Sequence, residues 1–332
     1  METVVSGIRS TGNLHLGNYF GALKNFIRMQ EEHNCYFFIA DLHSLTTHPK
    51  PADLHRSVRS VFVEYLASGL DPEKCTLYIQ SDIPEISELY LFLNMNAYIG
   101  ELSKVASFKD KVRTQPNNVN AGLLTYPVLM AADIIIHKAN KVPVGKDQEN
   151  HLEMARNFGN RFNHMYGVEC FPEPYAFNFG ENLVKVPGLD GKGKMSKSSG
   201  ENTAIFLSDE PELIIKKMKR AVTDSGPEAP NAEKPQTIQN LFALMTLVSP
   251  KETTTQFDSA WNDCSIRFGD MKMQLAEDMI AYLTPIRERI KEVDADKDFI
   301  AKSVKMGEEK ARVSASKTIA EVKEIIGFRK FY

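Results

Sequence analysis

Residues 3–23 read TVVSGIRSTGNLHLGNYFGAL. The apolar run TVVSGI is followed by a polar loop carrying Gly12 and Gly17, and then by Tyr19, Ala22, Leu23, Phe26 and Ile27 at helical spacing. A β-type run that feeds a helix through a glycine-bearing loop is the opening of a βαβ unit. Glycines there let the backbone approach a ligand closely, and the N–H groups at a helix start suit phosphate. The loop has neither G-x-G-x-x-G nor G-x-x-x-x-G-K-[ST], which sets aside the dinucleotide fingerprint and the P-loop.

Outward from this stretch the rhythm repeats. CYFFIAD (35–41) and CTLYIQS (75–81) are apolar and bounded by turn residues, as buried parallel strands are. Between them Leu54, Val58, Val61, Phe62, Tyr65 and Leu66 share one helical face, and ASGLDP ends that helix. KVPVG (141–145) reads as a fourth strand, followed by a helix over about 147–163 with Leu152, Ala155, Phe158 and Phe162 inward. The pattern predicts an α/β fold with a Rossmann-like doubly wound parallel sheet, whose ligands bind beyond the strand ends. From about residue 209 helices dominate: PELIIKKMKRAV, IQNLFALMTLV, a long one over 265–292 and another over 296–326. A second, smaller all-helical domain is expected, with boundaries at 1–205, 206–292 and 293–332, the last helix packing back on the first domain.

A length of 332 residues with 42% apolar content allows a sizeable core, and a net charge of −3 argues against a globally basic nucleic-acid sheath. The most apolar stretch, LLTYPVLMAADIII (123–136), is short for a membrane span and contains an Asp, and the N-terminus lacks a signal-peptide pattern, so no membrane contact is expected. Cys35, Cys75, Cys170 and Cys264 are scattered without a C-x-x-C pair, which fits a reducing cytoplasm better than zinc ligation.

KMSKS (194–198) sits in the loop PGLDGKGKMSKSSGENT. Such composition makes ordinary linkers. The alternative is an anion clamp of two ammonium groups and several hydroxyls, with Gly188, Gly191, Gly193 and Gly200 letting the loop open and close. The clamp needs a phosphate site elsewhere, and HLGN (15–18) supplies one. HLGN resembles the HIGH signature of class I aminoacyl-tRNA synthetases, with Asn18 in place of the second His, and KMSKS is similar to the second signature of the same class. The resemblance extends through GNYFGAL, YIGEL, FKDK, AGLLTYPVLMAADI, VPVGKDQ and AVTDS to the bacterial tryptophanyl-tRNA synthetase family. The tyrosyl enzymes, and a non-charging RNA-binding paralogue, are the competing readings.

Asp133 bears on that choice by its chemistry. It lies in the apolar LMAADIIIHK, where a carboxylate is costly unless it accepts a directed hydrogen bond. Indole offers one N–H donor and no acceptor, so a buried carboxylate suits it; an internal cap or pair is the alternative. The resemblance implies that Asp133 binds the indole nitrogen, that Val5, Gly7, His43, Tyr126, Met130, Val142 and Val144 form the tryptophan pocket, and that Tyr126 and Gln148 hold the amino group. A satisfied structural histidine is the lesser alternative for His43. Val5 stands where relatives often carry Phe.

For ATP the resemblance implies Arg9, Ser10, Thr11, His15, Gly17 and Asn18 from the first loop and Gly145, Lys146, Asp147 and Gln148 from the fourth strand's end. It adds Lys185 for an adenine contact through the backbone, and Lys194, Met195, Ser196, Lys197 and Ser198. Relatives often have Gln, Pro and Ser at 9–11 and Glu at 146, so Arg9, Ser10 and Lys146 are departures. Lys111, Lys194 and Lys197 are the expected catalytic groups, neutralising pyrophosphate together with Mg2+ carried by the ATP phosphates; no protein metal ligands are expected. Lys111 could instead belong to a solvated helix end. The resemblance further implies tRNA(Trp) as partner, an anticodon-reading helical domain and a homodimer with YIGEL near its interface. KKMKR (216–220) and FRK (328–330) are candidate phosphate contacts.

Overall fold

The computed structural model describes residues 1–114, 116–145, 149–177, 184–197 and 200–329. Five parallel strands, β1 (Thr3–Arg9), β2 (Asn34–Ala40), β3 (Thr76–Ile79), β4 (Lys141–Val142) and β5 (Tyr175–Ala176), lie in the order β3-β2-β1-β4-β5. Parallel pairing requires a crossover after each strand. Between β1 and β2 the crossover is α1 (Leu16–Asn18), a π turn at Tyr19–Leu23 and α2 (Lys24–Met29); between β2 and β3 it is α3 (Asp41–Ser44) and α4 (Pro51–Ala67). The β3–β4 connection holds α5 (Pro84–Asn94), α6 (Ile99–Leu102), α7 (Ala106–Thr114) and α8 (Ala121–Ile135), and α9 (Glu149–Tyr166) leads to β5. The order reverses between β1 and β4, which share the single register pair Val4–Lys141. Beyond that pair the two strands part, and a doubly wound sheet has its ligand crevice there.

Then follow α10 (Pro211–Arg220), α11 (Gln236–Val248), α12 (Lys251–Asn262), α13 (Phe268–Ala295) and α14 (Lys297–Ile326). One sheet face packs on α2 and α4, and its apolar cluster runs on through Met218, Leu244, Leu275 and Met279 of α10, α11 and α13. The other face is covered by α5, α8, α9 and α14. α14 crosses β3 so closely that a Cβ on Gly307 would overlap the Leu77 carbonyl, and His137 bridges Ser314 Oγ and Tyr78 Oη at 3.1 Å each. An edge strand is thereby shielded from further pairing.

Three elements differ from expectation. β4 stops at Val142 because Pro143 has no N–H to continue a ladder. β5 is two residues between prolines and loops, too short to carry a pattern. α12 has few apolar residues and three consecutive threonines, Thr253, Thr254 and Thr255, which local propensity disfavours. It is held by burial of Trp261, whose Nε1–H donates to the Ala232 carbonyl at 2.7 Å.

Candidate active site

The loop after β1 folds around its own histidine. His15 caps α1: its Nδ1 accepts the Asn18 N–H at 3.3 Å, and Asn18 Oδ1 accepts the His15 N–H at 3.1 Å. This is a reciprocal capping box, with Asn18 in the returning role. Burial, aided by the charges of Lys194 and Lys197, lowers the His15 pKa to about 4. The ring is therefore neutral at physiological pH, and with Nδ1 accepting, its proton sits on Nε2 and is available as a donor. Gly17 is required by packing, since a Cβ there would come within 2.8 Å of the His15 ring. The motif is pinned to residues 205–207 by Leu16 N–H to Ile205 O and Leu207 N–H to Leu14 O, both 2.9 Å.

The KMSKS loop docks on this motif. Residues 187 and 194 form an antiparallel bridge, and the Met195 N–H donates to the Val186 carbonyl at 2.7 Å. Met195 is 1% exposed and belongs to the core cluster, facing Gly17, so it anchors the loop. Anchoring it leaves Lys194 and Lys197 exposed on either side. Lys197 Nζ donates to the Thr11 carbonyl at 2.6 Å, closing the loop over the first motif. Ser196 is half-buried and Lys185 exposed beside Val186; Ser198 lies outside the described residues, as do Lys146, Asp147 and Gln148.

Arg9 and Lys111 are a second pair of cations, close enough for Arg9 to act on Lys111. Arg9 reaches the His43 carbonyl at 3.4 Å, and burial lowers its pKa. Lys111 lies 4.2 Å over the Tyr126 ring, with its pKa lowered by burial and by Arg9. Among the described residues none of Arg9, Lys111, Lys194 and Lys197 pairs with a carboxylate. Cations without carboxylate partners, beside a histidine donor, suit an anion. Ser10 does not join them: it is buried and hydrogen-bonded to Ser44 at 3.0 Å, so it braces the loop. A cleft of about 680 Å³ opens on the α4 side of this loop, lined by Thr11, Gly12, Asn13, Ser57, Lys197 and Phe206.

On the other side of β1 lies the apolar pocket. Asp133 is fully buried, and both its oxygens accept: Oδ2 from His43 Nε2 at 2.9 Å and Oδ1 from Gln80 Nε2 at 2.7 Å. Burial raises its pKa, while His43 and Gln80 pull the other way. The internal pairing left open by the sequence is thus present, and it accounts for His43 as well. Each oxygen keeps a second lone pair. Val5 and Val142 are sealed in the same core cluster; Met130, Tyr126, Val144 and Gly145 are half-buried. Gly7 is exposed and lies flat against Phe38, whose ring a Cβ would meet at 2.6 Å.

Two residues here escaped the sequence reading. Gln80 is fully buried at the end of β3, where the rule that ligands sit beyond strand ends could have found it. His151, on α9, lies with Nε2 2.7 Å from Tyr126 Oη, and no local pattern marks it. A third finding is a correction: Lys217 of KKMKR is 2% exposed and bonded to Asp209 at 2.6 Å and to the Ala204 carbonyl. It is a core ion pair and not a surface phosphate contact.

Residues 2–284 match the family "tRNA synthetases class I (W and Y)". A tryptophan–tRNA ligase of Porphyromonas gingivalis is 61% identical over 329 residues, 99% of this chain and 100% of that one. The chain belongs to the tryptophan–tRNA ligases. A ligase of this family from Clostridium tetani is 39% identical over 98% of the chain and 96% of its own length. The tryptophanyl-tRNA synthetase of Campylobacter jejuni, crystallised with ADP and tryptophan, superposes with a TM-score of 0.87 at 32% identity, covering 98% of this chain and 100% of that one. As a tryptophan–tRNA ligase, the chain is an aminoacyl-tRNA synthetase with the family's Rossmann-like sheet and C-terminal helices.

Proposed function

We propose that the site between HLGN, KMSKS and the Asp133 pocket charges tRNA(Trp) in two steps. The tryptophan carboxylate attacks the α-phosphorus of ATP, forming tryptophanyl-adenylate and releasing pyrophosphate. A ribose hydroxyl of the tRNA's terminal adenosine then attacks the acyl carbon, giving the tryptophanyl ester and AMP. Neither step needs a protein nucleophile, so positioning and electrostatics carry the rate.

The observation that carries this assignment is the set of cations without carboxylate partners, Arg9, Lys111, Lys194 and Lys197, beside a neutral His15 that donates from Nε2. Charge flows onto pyrophosphate in the first step, and these groups stabilise it there. The Asn18 amide N–H groups remain for a phosphate oxygen, because Oδ1 is engaged. In the pocket Asp133 accepts the indole N–H on a lone pair left by His43 and Gln80, and Tyr126, set by His151, faces the amino group. Among the described residues no three His, Cys, Asp or Glu side chains gather to hold a metal. A magnesium ion would therefore be held by the ATP phosphates and not by protein ligands, and would add to the charge neutralisation supplied by the lysines.

The same reading gives residues 1–205 the chemistry and 206–292 the anticodon, with Lys216, Lys219 and Arg220 exposed on α10 for phosphates. A homodimer is supported by an exposed apolar patch of Leu91, Met95, Tyr98 and Ile99, respectively 51%, 74%, 61% and 72% exposed. No helix among the described residues is long and apolar enough to cross a membrane, and the four cysteines are unpaired, as a cytoplasmic enzyme's are. Pyrophosphate exchange measured with each amino acid in turn tests the assignment. Dependence on tryptophan, followed by charging of tRNA(Trp), is expected; dependence on tyrosine, or exchange without charging, overturns it.

A further inference from the structure

Glu64 is buried at 1% exposure near the end of α4, and nothing in the charging reaction described above uses it. Its Oε2 accepts the Leu14 N–H at 2.7 Å, while its Oε1 is buried with no hydrogen-bond partner among the described residues. A buried carboxyl serving one amide is a costly arrangement, since a hydroxyl or carbonyl could accept that hydrogen bond without the second oxygen. Burial raises the Glu64 pKa to about 8, opposed by the Leu14 N–H and the charge of Lys197. At neutral pH the group is mostly a carboxylic acid whose carbonyl oxygen holds Leu14.

Leu14 is the residue before His15. Its carbonyl and the Leu16 N–H are tied to Leu207 and Ile205, so residues 14–16 and 205–207 form one paired unit. Backbone pairing fixes the two segments to each other, burial of Leu14, Leu16, Ile205 and Leu207 seats them in the core, and on the exposed side Ser60 Oγ of α4 donates to Asn13 Oδ1 at 2.7 Å. The Glu64 bond runs from this unit to α4, a helix packed on the sheet. His15 and Glu64 also feel the same cation, Lys197.

We propose that Glu64 is a positioning residue for tryptophan activation: by holding the Leu14 N–H it sets where His15 Nε2 meets the triphosphate. This rests on the phosphate role given to HLGN. The alternative is a purely structural carboxyl whose loss lowers the folded fraction and alters nothing at His15.

The test uses the full chain with Glu64→Ala, Glu64→Asp and Glu64→Gln. Gln keeps an oxygen that can accept the Leu14 N–H; Asp draws the carboxyl back by one methylene. Exchange kinetics and the NMR titration of the His15 imidazole are read for each. The charged groups acting on that imidazole are Lys194 and Lys197, and both stay in place in all three variants. We expect Ala and Asp to lower the exchange kcat at least about tenfold with the tryptophan KM within about twofold, as displacement of a donor does. In these variants the His15 pKa rises from about 4 toward the ordinary histidine value, and Gln restores both readouts. Unchanged kcat in Ala and Asp, a Gln loss equal to theirs, or a lost kcat with an unmoved His15 titration each overturns the proposal. Should Ala not fold, Asp and Gln decide by the same criteria. Absence of tryptophan-dependent exchange in the wild type would count against the charging reaction itself, while the His15 titration would still report on the Glu64–Leu14–His15 link.

Discussion

The Asp133 pocket and the cation cluster at HLGN meet at Arg9, yet they are built on opposite terms. In the pocket each polar group has its partner inside the protein: Asp133 with His43 and Gln80, Tyr126 with His151. Arg9, Lys111, Lys194 and Lys197 have no carboxylate partner among the described residues, and burial lowers the pKa of Arg9 and, with the Arg9 charge, that of Lys111. On the proposed assignment, a pocket for a neutral indole can be completed by the chain, because one directed acceptor and shape suffice. A site for a polyanion is completed by its ligand, and carboxylates placed in advance would compete with the phosphates.

The comparison breaks first at the cluster. Lys197→Ala is expected to lower tryptophan-dependent pyrophosphate exchange by about a hundredfold or more, as loss of one preorganised donor does. Exchange near the wild-type rate would return KMSKS to the status of a linker. In the pocket, Asp133→Ala leaves His43 and Gln80 without their acceptor and is expected to raise the tryptophan KM about thirtyfold, the equivalent of about 2 kcal/mol. Unaltered tryptophan affinity would mean that the carboxylate only braces the core. Gly17→Ala pushes a Cβ against the His15 ring and should cost about tenfold in exchange kcat, with the tryptophan KM unmoved, if ring placement matters.

The smallest effect is on stability against pH. His15 has a lowered pKa in the folded chain, so between about 4 and its unfolded value near 6.5 the unfolded state binds more protons. Its contribution to stability is complete above that upper value and is lost as pH falls toward about 4. His15→Asn should flatten the stability profile across this window in denaturant titrations, whereas His43→Asn should act mainly through tryptophan affinity. A profile equally steep in the His15 variant would remove the buried neutral imidazole from the account.

Legibility followed the same division. β1, β2 and β3 were readable as apolar runs bounded by turn residues, and α2, α4, α9 and the C-terminal helices except α12 because burial on one face writes a period into the residues. The KMSKS loop was readable as a motif because its signature lies in consecutive residues. Gln80 and His151 were not, because each acts by meeting a side chain 53 or 25 positions away, and only packing brings them there. Lys217 was misread for a related reason: on α10 alone it belongs to a basic run, and the Asp209 carboxylate that buries it arrives from the preceding turn. Met195, which the resemblance places among the ATP contacts, is 1% exposed in the core cluster and packs against Gly17, so it anchors the loop.

By itself the sequence determined the doubly wound sheet and the two signature motifs that mark the family, since apolar patterning and runs of consecutive residues are local properties. Tertiary structure alone decided that Asp133 is doubly partnered, that His15 is neutral with its proton on Nε2, and that Glu64 reaches the loop before it. Protonation and partnership depend on how much water a group has lost and which distant donor replaces it, and neither quantity is set until the chain has packed.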